Sequence, residues 1–151
     1  FKSEPDVYSI DDLKKEKKTY WEGVRNYQAR NLLRDTIKSG DKVFFYHSNA
    51  QPPGIAGIAE IAKEGYPDHS QFDENSKYYD PKSSKDNPRW FMVDVKFIKK
   101  FNSVISLEQL KNTSGLEEMM VTKRGARLSI QPVTSKEWEI IIGLADCKNQ
   151  N

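Results

Sequence analysis

Hydrophobic and polar positions along this chain follow two alternating periods, one of strands and one of short helices. Lys42-Val43-Phe44-Phe45-Tyr46-His47-Ser48 is a continuous apolar run rich in aromatic residues and predicts a strand. Gly54 to Ala62 is a second strand built on small residues, and Gly57 inside it marks a bulge or a close backbone approach. Trp90 to Ile98 is a third: Phe91, Val93, Val95 and Phe97 fall on one face, Asp94 and Lys96 on the other. Arg127-Leu128-Ser129-Ile130-Gln131 alternates like a strand that Pro132 ends. Phe1 to Pro5 reads as the end of a strand stopped by proline. The chain opens at Phe1 without Met, so upstream residues are expected to complete that strand.

Helical spacing appears elsewhere. Ser9 is a candidate N-cap for a helix opening at Tyr8–Leu13, with Asp11 and Asp12 at its positive end and Tyr8 paired with Leu13 as a hydrophobic staple. The lysine-rich run from Lys14 to Lys18 is either the solvated end of that helix or a phosphate contact. Ala29, Leu32, Leu33 and Ile37 predict a helix over Tyr27 to Lys38, closed by Ser39-Gly40-Asp41. Capping boxes at Ser106–Gln109 and Thr134–Glu137 open two more, the second burying Trp138, Ile141, Ile142 and Ala145. Glu64 to Arg89 is polar, has no clear period and is long for a structureless loop, a length often tied to function. Tyr78-Tyr79 is the expected tether for it. Strands mixed with short helices predict an α+β fold, a small curved sheet or barrel flanked by helices.

One stretch fits neither period. Tyr20-Trp21-Glu22-Gly23-Val24-Arg25-Asn26-Tyr27-Gln28-Ala29-Arg30-Asn31 is too polar for a core strand and too aromatic for an ordinary loop. Trp21 and Tyr27 offer flat faces. Asn26, Gln28 and Asn31 both donate and accept hydrogen bonds, and Arg25 and Arg30 can meet phosphate. The mixture suits a nucleobase on its backbone. It equally suits a buried tryptophan anchoring a helix whose entry the polar residues cap.

Bulk properties narrow the choice. The chain has 151 residues, 30% of them charged, and a net charge of +2 from 24 basic and 22 acidic residues. That length suits one domain. We expect residues 1–146 to form it, with 147–151 as a tail. So small a charge cannot hold duplex nucleic acid by itself, so any such binding is local and led by a pocket. The single cysteine, Cys147, excludes an internal disulfide and carries no assigned chemistry. His47, His69 and Cys147 lack metal-ligand spacing, and no cofactor motif is visible. The expected compartment is cytoplasmic, or nuclear in a eukaryote, and the expected state is a monomer.

Taken in order, Lys2-Ser3-Glu4-Pro5, the Trp21 to Asn31 stretch, Phe45-Tyr46-His47-Ser48, Gly54-Ile55-Ala56-Gly57 and Arg127 to Val133 resemble the EVE domain over essentially the whole chain. The resemblance implies a PUA-like pseudo-barrel surrounded by helices, akin to the YTH and SRA domains that hold modified bases in aromatic pockets. It implies a non-catalytic reader of modified bases in DNA or RNA, with modified cytosines the leading candidates. Glu4 departs from the YTH pattern, which carries an amide there, so readout of N-methyladenine is not carried across.

The candidate site follows. Glu4 as a carboxylate only accepts hydrogen bonds and would select an amino-bearing base, unless it pairs with Arg25 or Arg127. Ser3 can reach another base edge. Trp21 is the candidate stacking wall, and Asn26 and Tyr27 are edge and wall contacts. His47 and Ser48 point to opposite strand faces, so they cannot readily act as base and nucleophile together. Each is a pocket residue or a satisfied strand end. Arg25, Arg30, Arg127, Ser129 and Gln131 are candidates for the nucleic-acid backbone, the last three sharing one strand face. Trp90 and Trp138 are expected in the core. Two other readings stay open: a small hydrolase or base-modifying enzyme using Glu4 or His47 as general base, and a small-molecule or protein-interaction module.

Overall fold

In the computed structural model, residues 1–149 are described, with side chains through Asp146. Five strands form one mixed sheet: β1 (Lys2–Ser3), β2 (Lys18–Tyr20), β3 (Lys42–His47), β4 (Gly54–Pro67) and β5 (Phe91–Ser106), in the order β1-β3-β4-β5-β2. Only β1 and β3 run parallel. Four short helices pack around it: α1 (Ile10–Glu16), α2 (Tyr27–Asn31), α3 (Leu107–Lys111) and α4 (Ser135–Asn149). A π-helical turn at Leu32–Thr36 continues α2.

Both faces of the sheet are covered, which explains the unbroken apolar run in β3. Val43 and Phe45 enter one core with Ile10 and Leu13 of α1 and with Ala29 and Leu33. Phe44 and Tyr46 enter a second core with Leu110, Ile141 and Ala145. Trp138 of α4 stacks on Phe44 with ring centroids 3.8 Å apart. Trp90, expected in the core, is buried.

The central strands are long and irregular. Pairing of β4 with β5 shifts register at four places, one of them between Ile55 and Gly57. A Cβ on Gly57 would collide with the carbonyl oxygen of Lys99 and lie 2.9 Å from Ile10, so the close approach expected there is real. Bulges of this kind bend and coil a sheet. Here the sheet curls until its two edges meet: Phe1, beside β1, and Trp21, just after β2, have ring centroids 5.4 Å apart.

Four expectations change. Lys18 belongs to β2 and not to the helix end: Lys17 takes φ 71° and breaks the helix, and β2 pairs with Lys96, Val95 and Asp94 of β5. The helix from Tyr27 stops at Thr36 and not Lys38, because Ile37 is already extended. Arg127 to Gln131 is not a strand; it runs beside β1 through one bond, Lys2 N–H to the Ser129 carbonyl at 2.8 Å. The polar segment is shorter than expected, since β4 runs to Pro67 and a 3₁₀ turn covers His69–Phe72. Of the expected tail, the α4 backbone continues to Asn149, and the Cys147 side chain lies outside the described residues.

The rest of that segment hangs on Gln71, which is fully buried. Its amide donates to the carbonyls of Asp68 and Trp90 at 2.7 and 2.8 Å. Its oxygen accepts from Ser83 Oγ and from the N–H groups of Arg89 and Trp90. One side chain thereby satisfies backbone groups on both flanks of the loop. Gln71→Leu strips those partners, and each buried group left unpaired costs about 1–3 kcal/mol. The expected result is a lower urea midpoint, with tryptic cleavage at Lys77, Lys82 or Lys85 before global unfolding.

Candidate nucleic-acid site

The curled edges enclose a cavity of about 450 Å³, within the roughly 300–1,000 Å³ range of small-ligand sites. Strand β1 supplies Lys2 and Ser3, and β2 supplies Thr19 and Tyr20. Trp21, Glu22, Gly23, Val24 and Arg25 follow from the aromatic stretch, and Val7, Tyr8, Glu16, Tyr78 and Ser129 complete the lining.

Trp21 is the rigid part. Phe1 packs against it at a tilt, while Tyr8 and Phe45 meet it edge-on at 6.3 and 5.6 Å. Its backbone N–H donates to the Val93 carbonyl at 2.8 Å. Tyr8 is itself fixed: its hydroxyl donates to Glu16 at 2.7 Å, and Ser3 Oγ donates to its carbonyl at 2.7 Å. Burial and the hydrogen bond to Glu16 push the Tyr8 phenol pKa up, so it stays protonated as a donor.

A clamp forms the opposite wall. Asp68 is fully buried, and one of its oxygens accepts from Gly23 N–H at 2.8 Å and from Arg25 Nη1 at 3.1 Å. The other accepts from the Ser70 N–H and hydroxyl. Burial alone would raise the Asp68 pKa; the hydrogen bonds from Ser70, Gly23 and Arg25 outweigh it and hold the carboxyl below its usual range. Arg25 also donates to the carbonyls of Val24 and Tyr78 and to Ser70 Oγ. All five guanidinium N–H groups are then engaged within the chain. Gly23 has φ +85°, and a Cβ there would sit 2.5 Å from the Tyr78 ring, so only glycine lets that ring close over the stretch. Tyr78 is thus the tether expected of Tyr78-Tyr79.

Of the residues singled out from sequence, the structure brings Ser3, Trp21, Arg25 and Ser129 to this cavity. Asn26 is the N-cap of α2 and accepts from the N–H groups of Gln28 and Ala29. Tyr27 stacks on Trp90 at 4.8 Å outside the cavity, with Arg30 over its ring at 4.9 Å. Arg30 also donates to the Arg89 carbonyl. Glu4 is exposed and pairs with neither Arg25 nor Arg127; its carbonyl caps the turn that follows. Arg127 is exposed. Gln131 lines a second cavity of about 600 Å³ with Phe1, Leu32, Val43, Phe44 and Trp138. Because 127–131 is not a strand, Arg127, Ser129 and Gln131 do not share a face.

His47 lies behind the cavity wall, edge-on to Phe45 at 5.7 Å, and its Nε2 accepts the Ile10 N–H at 3.1 Å. Ser48 donates its N–H to the Ser3 carbonyl. Sequence reading missed Tyr8, Glu16, Thr19, Tyr20 and Tyr78 as lining residues and Asp68 as the organiser. Asp68-His69-Ser70 has the look of a local cap, and Asp68 does accept from the Ser70 N–H, but no local pattern announces its partners 43 and 45 residues away. Glu22, Asp68 and His69 offer ligand atoms within 4.8 Å of one another. Both Asp68 oxygens are already filled by four donors, so that cluster is a poor cation site.

An aromatic wall, a buried ionic clamp and polar groups from two converging sheet edges define a small α+β domain with a walled cavity between those edges. The EVE domain family matches residues 1–144, and the chain belongs to that family, with the α+β, PUA-like fold expected of it. Human thymocyte nuclear protein 1 is 49% identical over 148 residues, spanning 92% of this chain and 65% of that protein. The chain thus covers just under two thirds of its human relative. A crystal structure of protein PSPTO5229 from Pseudomonas syringae superposes with a TM-score of 0.91 at 46% identity, covering 95% of this chain and 96% of that one. A structure of human THYN1 in complex with 5-methylcytosine-containing DNA superposes with a TM-score of 0.88 at 46% identity, covering 96% and 95%.

Two stability tests follow. Burial lowers the His47 pKa from its ordinary 6.5. Between that lowered value and 6.5 the unfolded chain binds more protons, so stability falls as pH drops through this window. Chemical denaturation at pH 7.5 and 5.5 should show the loss, and His47→Gln should flatten it. Asp68→Asn leaves Arg25 without its charge partner. It should cost about 3 kcal/mol at neutral pH, as for other buried pairs broken on one side.

Proposed function

We propose that this domain is a non-catalytic DNA-binding module that recognises a modified cytosine swung out of its helix into the cavity of about 450 Å³. The observation that carries this reading is Trp21: a tryptophan held on three sides by aromatic rings, lining the cavity where two sheet edges meet. The solved complex of human THYN1 with 5-methylcytosine-containing DNA supports cytosine as the base and DNA as the partner.

Trp21 stacks on the base, an interaction worth about 1–3 kcal/mol per base. Ser3, Ser129 and Glu16 line the same space and supply acceptors for an amino-bearing edge. Lys2, close by, donates to the Ala126 carbonyl and lies 5.9 Å from the Tyr46 ring centroid. Arg127 and Lys77, both exposed, are basic groups that can approach phosphate, Lys77 from its place 5.0 Å over the Tyr78 ring of the cavity wall. Arg25 acts by holding the wall. Glu4, outside the cavity, belongs to its rim. With a net charge of +2, binding is weak and only shallowly dependent on salt. A compartment that contains DNA follows from this reading.

The enzyme reading has less to stand on. His47 Nε2 is occupied by the Ile10 N–H, and Glu4 is exposed rather than poised in the cavity.

Short DNA and RNA oligonucleotides carrying each common cytosine and adenine modification test the proposal at low salt. One modified cytosine in DNA should bind best. Trp21→Ala should remove that preference, weakening binding by about tenfold or more, while the milder Trp21→Phe retains part of it. Equal binding of modified and unmodified oligonucleotides by the unaltered domain would refute it.

A further inference from the structure

The turn joining β1 to α1 forms part of the cavity rim and carries an unusual residue. Val7 is 70% exposed, more than any other large hydrophobic side chain among the described residues, and it lines the cavity. The turn that presents it is stiff. The Glu4 carbonyl accepts from the N–H groups of both Val7 and Tyr8 at 2.9 Å. Ser3 Oγ holds the Tyr8 carbonyl, and Ser9 caps α1 immediately after. An apolar side chain held in water on a rigid tip gains by entering an apolar space.

Its neighbours say which space. Glu4 and Asp6 are exposed, and neither forms an ion pair among the described residues. Two free carboxylates are repelled by phosphates, so this turn does not lie along the backbone. They are compatible with base edges, whose amino groups donate. Apolar side chains inserted between base steps are an established way to unstack a duplex, and extruding a base leaves a gap that such a side chain can fill.

We propose that the Glu4–Tyr8 turn is a wedge: Val7 enters the base stack in the place vacated by the base that swings into the adjoining cavity. This rests on the cavity being a base pocket, and it makes double-stranded DNA the substrate. A single strand has no closed stack to prop open and meets Val7 only as part of the cavity lining.

Three probes separate the wedge from the pocket: a duplex with one central 5-methylcytosine, the same strand unpaired, and a duplex with an abasic site at that position. Val7→Ser, at an exposed position, should weaken binding to both duplexes about tenfold and weaken single-strand binding several-fold less, the part owed to its place in the cavity lining. Trp21→Ala should weaken binding to both methylated probes and spare the abasic duplex, which has no base to stack. If Val7→Ser binds the duplexes as the unaltered domain does, or loses single-strand binding equally, the wedge is overturned. If the abasic duplex needs Val7 while the methylated duplex binds no better than an unmethylated one, insertion of Val7 into the stack stands but the base-reading proposal, and with it the filling of a place vacated by a base in the cavity, falls. If neither duplex binds the unaltered domain, the wedge fails.

Discussion

A buried carboxylate holds this molecule's working parts in place. Asp68 sits at the end of β4 with no exposure to water and receives four hydrogen bonds from three directions. A charge so buried is tolerated only when paired and fully hydrogen-bonded. Every partner it needs belongs to the cavity wall or to the loop behind it. Folding can therefore satisfy Asp68 only by bringing the Trp21–Arg25 stretch against that loop, and the same step closes Tyr78 over Gly23. The cavity is shaped by an electrostatic requirement more than by hydrophobic contact.

The sheet supplies the complementary constraint. Its two cores fix β3, β4 and β5 as a central slab that neither face can leave. The register shifts between β4 and β5 bend the slab, and the bend carries β1 and β2 toward each other. Trp21 is placed by backbone pairing to Val93 and by rings from Phe1, Tyr8 and Phe45, so its orientation is set before any ligand arrives. Preorganisation of that kind reduces the entropy lost on binding.

Much of this was legible in the sequence because its causes are local. The Ser9 N-cap and the Thr134–Glu137 capping box are short-range features, and both are present; the close approach at Gly57 showed through the glycine itself, though what approaches it, Lys99 and Ile10, is distant. The alternation of Val43 and Phe45 against Phe44 and Tyr46 is local too, though its two-sided burial depends on distant helices. What escaped was non-local. Lys18 reads as a helix end until β5 is beside it. Arg127 to Gln131 alternates like a strand but has only a two-residue edge to join. The Trp21–Asn31 stretch was visible as a unit, yet the structure divides its labour. Trp21 faces the cavity, Arg25 is spent on Asp68, Asn26 caps α2, and Tyr27 stacks on Trp90 with Arg30 over the Tyr27 ring. Residue type alone does not separate an arginine that meets phosphate from one that holds a loop.

The meeting of the two sheet edges has another consequence. A short strand at the end of a sheet leaves backbone groups that can pair with a neighbouring chain. Here β1 has its outer Lys2 N–H capped by the Ser129 carbonyl, and both terminal strands turn inward to line a hollow. The curl that opens the hollow also covers part of the margin of β1. A variant that flattened the sheet would lose more than the cavity: it would uncover the adhesive margin of β1, and precipitation in the test tube would follow.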